Sequence, residues 1–231
     1  MSSLANETPQ LLIIAGGNGA GKSSSSKYIS PPKAMIYDPD KEIKRIESQY
    51  PDLPAASIYY AVQNYFLDQV DLVLKNKLNF TIETNFRDAG LMDTVERFRK
   101  AGYSIGMVYM LLPNIQLSME RVNNRVREGG HAVDEDSIRT NFYEGQKNLL
   151  YFANRFDHIE LINAAGEPGK LQSLLSIISG KLAYYNEGPP EWAKEVIDSL
   201  IAPYGKYLDQ NPWDNNRNND DDQEYRPRIG R

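Results

Sequence analysis

The chain has 231 residues, 41% hydrophobic and 25% charged, which fits one α/β domain with additions. It has no cysteine, which excludes a disulfide framework, cysteine-ligated zinc, iron–sulfur clusters and thiol catalysis. The net charge of −5 makes nucleic acid an unexpected partner, and the apolar run Leu11–Ala15 is too short for a signal peptide or a membrane span, so a soluble, cytoplasmic protein with no membrane partner is expected.

Residues 1–9 are polar and read as a loose start. Gln10–Ala15 is a continuous apolar run with β-branched residues, the pattern of a buried parallel strand. A glycine-rich turn follows, and Lys22–Ile29 reads as a helix stopped by Pro31 and Pro32. Ala34–Tyr37 is a second strand closing on Asp38-Pro39-Asp40, and Lys41–Gln49 is a helix. Ser57–Asn76 reads as a long helix capped by Ser57, with Tyr60, Leu67 and Leu74 along its apolar side, and Tyr59, Tyr60, Tyr65 and Phe66 are expected in the core. Asn79–Glu83 is a third strand, Ala89–Ala101 a helix stopped by Gly102, and Ser104–Leu112 a fourth strand ended by Pro113. Helices Ile115–Glu128 and Asp134–Phe152 flank Gly129-Gly130. His158–Ile162 is a fifth strand, Leu171–Lys181 an amphipathic helix, and Glu191–Ile201 one more helix. From Asn211 onward the chain is rich in Asn and Asp and is expected to be disordered.

Strands alternating with helices imply βαβ units and a mainly parallel sheet of about five strands flanked by helices. The expected organisation is a domain over 1–181 with a helical lid at about 115–152, a helical extension over 182–210 and a tail over 211–231.

Between the first strand and the first helix lies GGNGAGKS, residues 16–23, which matches G-x-x-x-x-G-K-[ST] and continues into Ser24. Gly16, Gly17, Asn18, Gly19, Ala20 and Gly21 would fold the backbone into a nest of N–H groups facing the phosphates of ATP or GTP. Lys22 would reach the β- and γ-phosphates, and the Ser23 hydroxyl would ligate Mg²⁺. The chain is therefore expected to be a P-loop NTPase of α/β class.

A guanine-reading Asn-Lys-x-Asp and an LSGGQ signature are both absent from the sequence. The fourth strand ends without an acid, so no ordinary Walker B carboxylate is expected there. The acids end other strands: Asp38 and Asp40 after the second, Glu83 in the third. The carboxyl ends of parallel strands border the ligand crevice, and a small-molecule kinase needs a carboxylate there to take the acceptor's proton. Without that context, Asp-Pro-Asp is a turn or a helix cap.

Four segments resemble the zeta toxin family of P-loop kinases, in the bacterial branch labelled predicted ABC-type ATPases: GGNGAGKSS, YDPDKEI, NFTIETNFRD and RVNNRVREGGHAVDEDSIRTNF. They cover about residues 10–165. The resemblance implies a kinase-like sheet with a helical lid and transfer of a phosphoryl group to a hydroxyl of a small molecule. The best studied toxins of the family phosphorylate a UDP-linked N-acetylamino sugar and are held by a small antitoxin.

Carried over position by position, the resemblance makes Asp40 the general base and Glu83 an acceptor-binding carboxylate. Asp38, Thr84 and Arg87 lie in the matching acceptor stretches, Arg121 and Arg125 match the lid's paired arginines, and His131 matches the lid histidine. The lid pattern has Arg immediately before its last aromatic, whereas here Asn141 precedes Phe142, and Arg139 is the candidate replacement. Asn163, after the fifth strand, is placed to flank the base. The alternative reading is a degenerate kinase that binds ATP as a regulator, and Asn141 is the feature that supports it.

Overall fold

The computed structural model describes residues 8–130, 132–166 and 170–204. His131 and the Asn/Asp-rich tail over 211–231 lie outside the described residues.

Buried apolar runs that alternate with amphipathic segments have one packing solution, a sheet covered on both faces. The chain order is β1 (Gln10–Ala15), α1 (Lys22–Ile29), β2 (Met35–Tyr37), α2 (Pro39–Gln49), α3 (Ala55–Asn76), β3 (Phe80–Thr84), α4 (Leu91–Lys100), β4 (Ser104–Leu111), α5 (Ile115–Arg127), α6 (Glu135–Phe152), β5 (His158–Asn163), β6 (Gln172–Ile178), β7 (Lys181–Tyr185) and α7 (Glu191–Ile201). The sheet has seven strands in the order β2-β3-β1-β4-β5-β6-β7. The first five are parallel, and β6 and β7 are antiparallel additions.

Period-two alternation along β1 divides the core. Leu11 and Ile13 face Val70 and Val73 of α3, Val95 and Phe98 of α4, Leu149 of α6 and Ile197 of α7. Leu12 and Ile14 face Ile29 of α1, Val122 of α5, and Ile138 and Phe142 of α6. α6 therefore serves both layers.

Three expectations are corrected. The segment 171–181 is not helical: β6 and β7 form a hairpin closed by Ser179 (φ 49°) and Gly180 (φ 70°). Consecutive residues at positive φ make a two-residue hairpin turn whose twist matches the strands, and Ser-Gly between apolar runs is its sequence signal. The boundary expected at 181/182 falls inside this hairpin, and α7 buries Ala193, Ile197 and Leu200 in the main core, so the C-terminal segment through α7 is integral to the sheet domain. Lastly, α3 starts at Ala55 and buries Val62, Val70 and Val73; Tyr65 and Phe66 pack on the core, whereas Tyr59, Tyr60 and Leu67 are exposed. The sequence spacing is compatible with more than one face, and the sheet selected the β-branched one.

Candidate active site

The sheet order places β1 between β3 and β4, so helices leave the sheet in opposite directions at this point and open a crevice at the strands' carboxyl ends. A cleft of about 550 Å³ occupies it. Its floor is the loop over 18–25; one side carries Asp38, Asp40, Glu83, Thr84 and Asn85, and the other carries Ala164, Gly166, Lys170 and Leu171. α5 supplies the roof through Glu120, Arg121, Asn124 and Arg125.

Lys22 Nζ donates to Gly16 O (2.8 Å), Gly17 O (3.2 Å) and Asn85 Oδ1 (2.8 Å). Burial holds this ammonium down at about 8, while the carboxylates of Asp40, Glu83 and Asp38 pull the other way. A polyphosphate would restore the charge that burial disfavours.

Asp38 has two jobs. Its Oδ1 accepts from the backbone N–H of Asp40 (3.0 Å) and Lys41 (3.3 Å), capping α2, with Pro39 in the first turn. Its Oδ2 accepts from Ser23 Oγ at 2.9 Å. Ser23 Oγ also bonds Glu83 Oε2, and Glu83 is 2% exposed. One hydroxyl carries one proton, so Ser23 serves one of these carboxylates at a time, while Lys41 Nζ lies 3.2 Å from Asp38 Oδ2. Burial raises the Glu83 pKa, against the opposing pull of its hydrogen bond from Ser23.

β3, not β4, is the neighbour of β1 on the loop's serine side, and Glu83 sits opposite Ile14 in the ladder with its carboxyl on Ser23. The Ser23 hydroxyl, Asp38 and Glu83 form a set of hard oxygen donors, and Glu83 Oε1 is buried without a hydrogen-bond partner among the described residues. Mg²⁺ is bound through one or two carboxylates, waters and substrate phosphates, so these residues fit it even though the described residues hold no cluster of three or more His, Cys, Asp or Glu side chains.

Helices α5 and α6 are docked on the phosphate loop. Ser118 Oγ donates to Asn18 O (2.6 Å), and Asn141 Nδ2 donates to Asn18 Oδ1 (2.7 Å). Arg121 donates to Gly19 O (3.2 Å), Ala164 O (2.7 Å), Ala165 O (2.9 Å) and Gly166 O (2.8 Å), bracing the phosphate loop against the β5–β6 loop. Arg125 lines the cleft one turn later. Past it, α5 ends in a Schellman motif: Gly130 N–H bonds Arg125 O, Gly129 N–H bonds Val126 O, and Gly129 has φ 83°. A Cβ on Gly130 would stand 2.7 Å from Arg125 O, so the paired glycines close the helix tightly over that arginine.

Several expected site residues lie elsewhere. Arg87 and Arg139 are exposed and do not line the cleft. Asn163 shapes the 164–166 loop and does not line the cleft: its Oδ1 accepts from Ala165 N and its Nδ2 donates to Gln172 Oε1. Thr84 lines the cleft, but its hydroxyl accepts from Phe86 N. Asn85, Ser118, Lys170 and Leu171 were not singled out by motif. Asn85 alone had a local signal, the i+2 spacing from Glu83.

A sheet of order 2-3-1-4-5 with this loop after β1, and helices α5 and α6 over it, defines a P-loop kinase fold. The family model for Zeta toxin matches residues 2–170, and the chain belongs to that family. A curated protein of Haemophilus influenzae described as uncharacterized is 20% identical over 128 residues, covering 55% of this chain and 89% of its own length. Among solved structures, the AvrRxo1-ORF1:AvrRxo1-ORF2 complex with sulphate ions gives a TM-score of 0.62 at 14% identity over 82% of this chain; the match spans 63% of that chain's length. The PezAT chromosomal toxin–antitoxin system of Streptococcus pneumoniae gives 0.51 at 13% identity, covering 89% of each chain. These likenesses are of fold.

Proposed function

We propose that this protein is an ATP-dependent phosphotransferase that moves the γ-phosphoryl group to a hydroxyl of a small metabolite. The observation that carries the reading is the joint placement, in one cleft, of the phosphate loop with Lys22 and Ser23, the carboxylates Asp38 and Asp40, and the 164–166 loop. A related fold has been solved as AvrRxo1-ORF1:-ORF2 with ATP, which supports ATP as donor.

The base would lie against the 164–171 side and the phosphates would cross the loop toward β3. Asp40, in the first turn of α2, takes the acceptor's proton as the hydroxyl attacks in line. Asp38 and Glu83 orient Ser23, and these three would hold Mg²⁺, whose contribution is to neutralise phosphate charge. Arg125 stabilises the moving phosphoryl group. Arg121 keeps the nucleotide loops in register. Thr84 is placed for the acceptor, for which a UDP-N-acetyl sugar or another nucleotide is the class we favour. Arg87 and Arg139 would take part only if a bound acceptor drew them in. A small antitoxin protein is the proposed partner, supported by the PezAT likeness, and the proposed location is the cytoplasm.

The test is calorimetry with ATP–Mg²⁺. Wild type binds, and Lys22→Ala loses affinity while remaining folded; equal affinity in the two proteins overturns the reading. A second reading, an ATP-binding regulator without transferase activity, is favoured by one observation: Asn141 is spent on Asn18 and contributes no charge to the cleft.

A further inference from the structure

The geometry points to Asn85 as a positioning residue that carries the Lys22 ammonium and presents a hydrogen-bond donor at the terminal-phosphate end of the cleft; this rests on the nucleotide reading above.

Lys22 has donors only, so the Asn85 atom at 2.8 Å from Nζ is the amide oxygen. With Oδ1 committed to Lys22, any contact from this side chain to a ligand comes from Nδ2, a donor, which suits an anion. Position decides which phosphate. The base side of the cleft lies beyond β4 and β5, whereas Asn85 follows β3 on the far side of β1, beside Thr84 and Asp40. A nucleotide laid from the base side across the loop reaches Asn85 with its last phosphate.

The backbone around Asn85 is held in a conformation the chain would not choose alone. Phe86 has φ 57°, a left-handed value that is strained for a bulky residue. Four contacts impose it. The Phe86 ring is buried at 1% exposure, its N–H bonds Thr84 Oγ1, its carbonyl accepts from Asn148 Nδ2 at 2.9 Å, and the Asn85 carbonyl presses against Gly145, where any Cβ would collide with it. Asn148 and Gly145 belong to α6, so the lid helix fixes the residue that aims the loop's lysine. Strain kept by this many contacts is expected where placement of one side chain matters.

The test compares ADP with a non-hydrolysable ATP analogue, each with Mg²⁺, by calorimetry on wild type, Asn85→Ala and the isosteric Asn85→Asp, with thermal melts to verify folding. Loss of a hydrogen bond to a charged group predicts roughly a tenfold or greater loss of analogue affinity in Asn85→Ala, with ADP affinity changed by about threefold or less. Asn85→Asp, which turns a carboxylate toward phosphate, loses more. Variants that bind both nucleotides as wild type does, or that lose both equally as a merely structural role requires, overturn the assignment while the nucleotide reading stands. A wild type that binds neither nucleotide overturns both.

Discussion

Asn141 of α6 donates from Nδ2 to Oδ1 of Asn18 in the phosphate loop at 2.7 Å, with both side chains buried. An amide pair thus occupies the place where the lid pattern carries an arginine. Asn141→Ala would leave the Asn18 oxygen buried and unsatisfied, at an expected cost of about 1–3 kcal/mol. Chemical denaturation measures it, and a change under about 0.5 kcal/mol would show that the pair is not a structural clamp.

Asp38 couples a helix cap to the loop serine, so its substitutions should separate. Asn caps as well as Asp, so Asp38→Asn should keep the melting temperature, while Asp38→Ala should lose about 1 kcal/mol. Both should raise the Mg²⁺ concentration needed for activity, because both remove a carboxylate from Ser23. Unchanged Mg²⁺ dependence in both variants would remove Asp38 from the cation's surroundings.

The two lid arginines should differ in kind. Arg121→Ala abandons four carbonyl acceptors and loosens the 164–166 loop, so it should lower stability and nucleotide affinity together. Arg125→Ala should reduce kcat by roughly 10³ with less effect on ATP binding. Calorimetry beside turnover would expose an exchange of these roles.

Proton linkage has a definite sign. The free protein holds Lys22 near 8, and bound polyphosphate favours its charged form. Above pH 8 the complex therefore carries more protons than the free protein, so ATP affinity should fall as pH rises through that value, approaching tenfold per pH unit. Titrations at about pH 7 and about pH 9 check this, and a flat profile would mean that Lys22 keeps its proton without nucleotide.

The parallel half of the sheet was legible because its strands are short, mostly apolar runs set between helical segments, three of them closed by Gly16, Asp38 and Pro113, and the loop because its chemistry needs fixed residues at fixed spacing. The hairpin at 172–185 was not: Leu174, Leu175, Ile177 and Ile178 satisfy helical and strand periods alike, and pairing to β5 decides between them. Asp38, Asp40 and Glu83 were legible by position at the end of a strand and Arg125 through the family resemblance, and the cleft gathers them. Arg121 was expected on phosphate, yet the carbonyls that claim it come from a loop more than forty residues away in sequence. Asn141 and Asn18 carry no local sign that they meet.

The central claim is phosphoryl transfer from ATP with Asp40 as base. Incubating the protein with ATP, Mg²⁺ and a metabolite extract, and reading the products by mass spectrometry, tests it most directly. Wild type should yield a metabolite heavier by one phosphoryl group, and Asp40→Asn should bind ATP normally yet form that product roughly 10²–10⁴ times more slowly. No phosphorylated product from wild type, or the same rate from Asp40→Asn, would contradict the account.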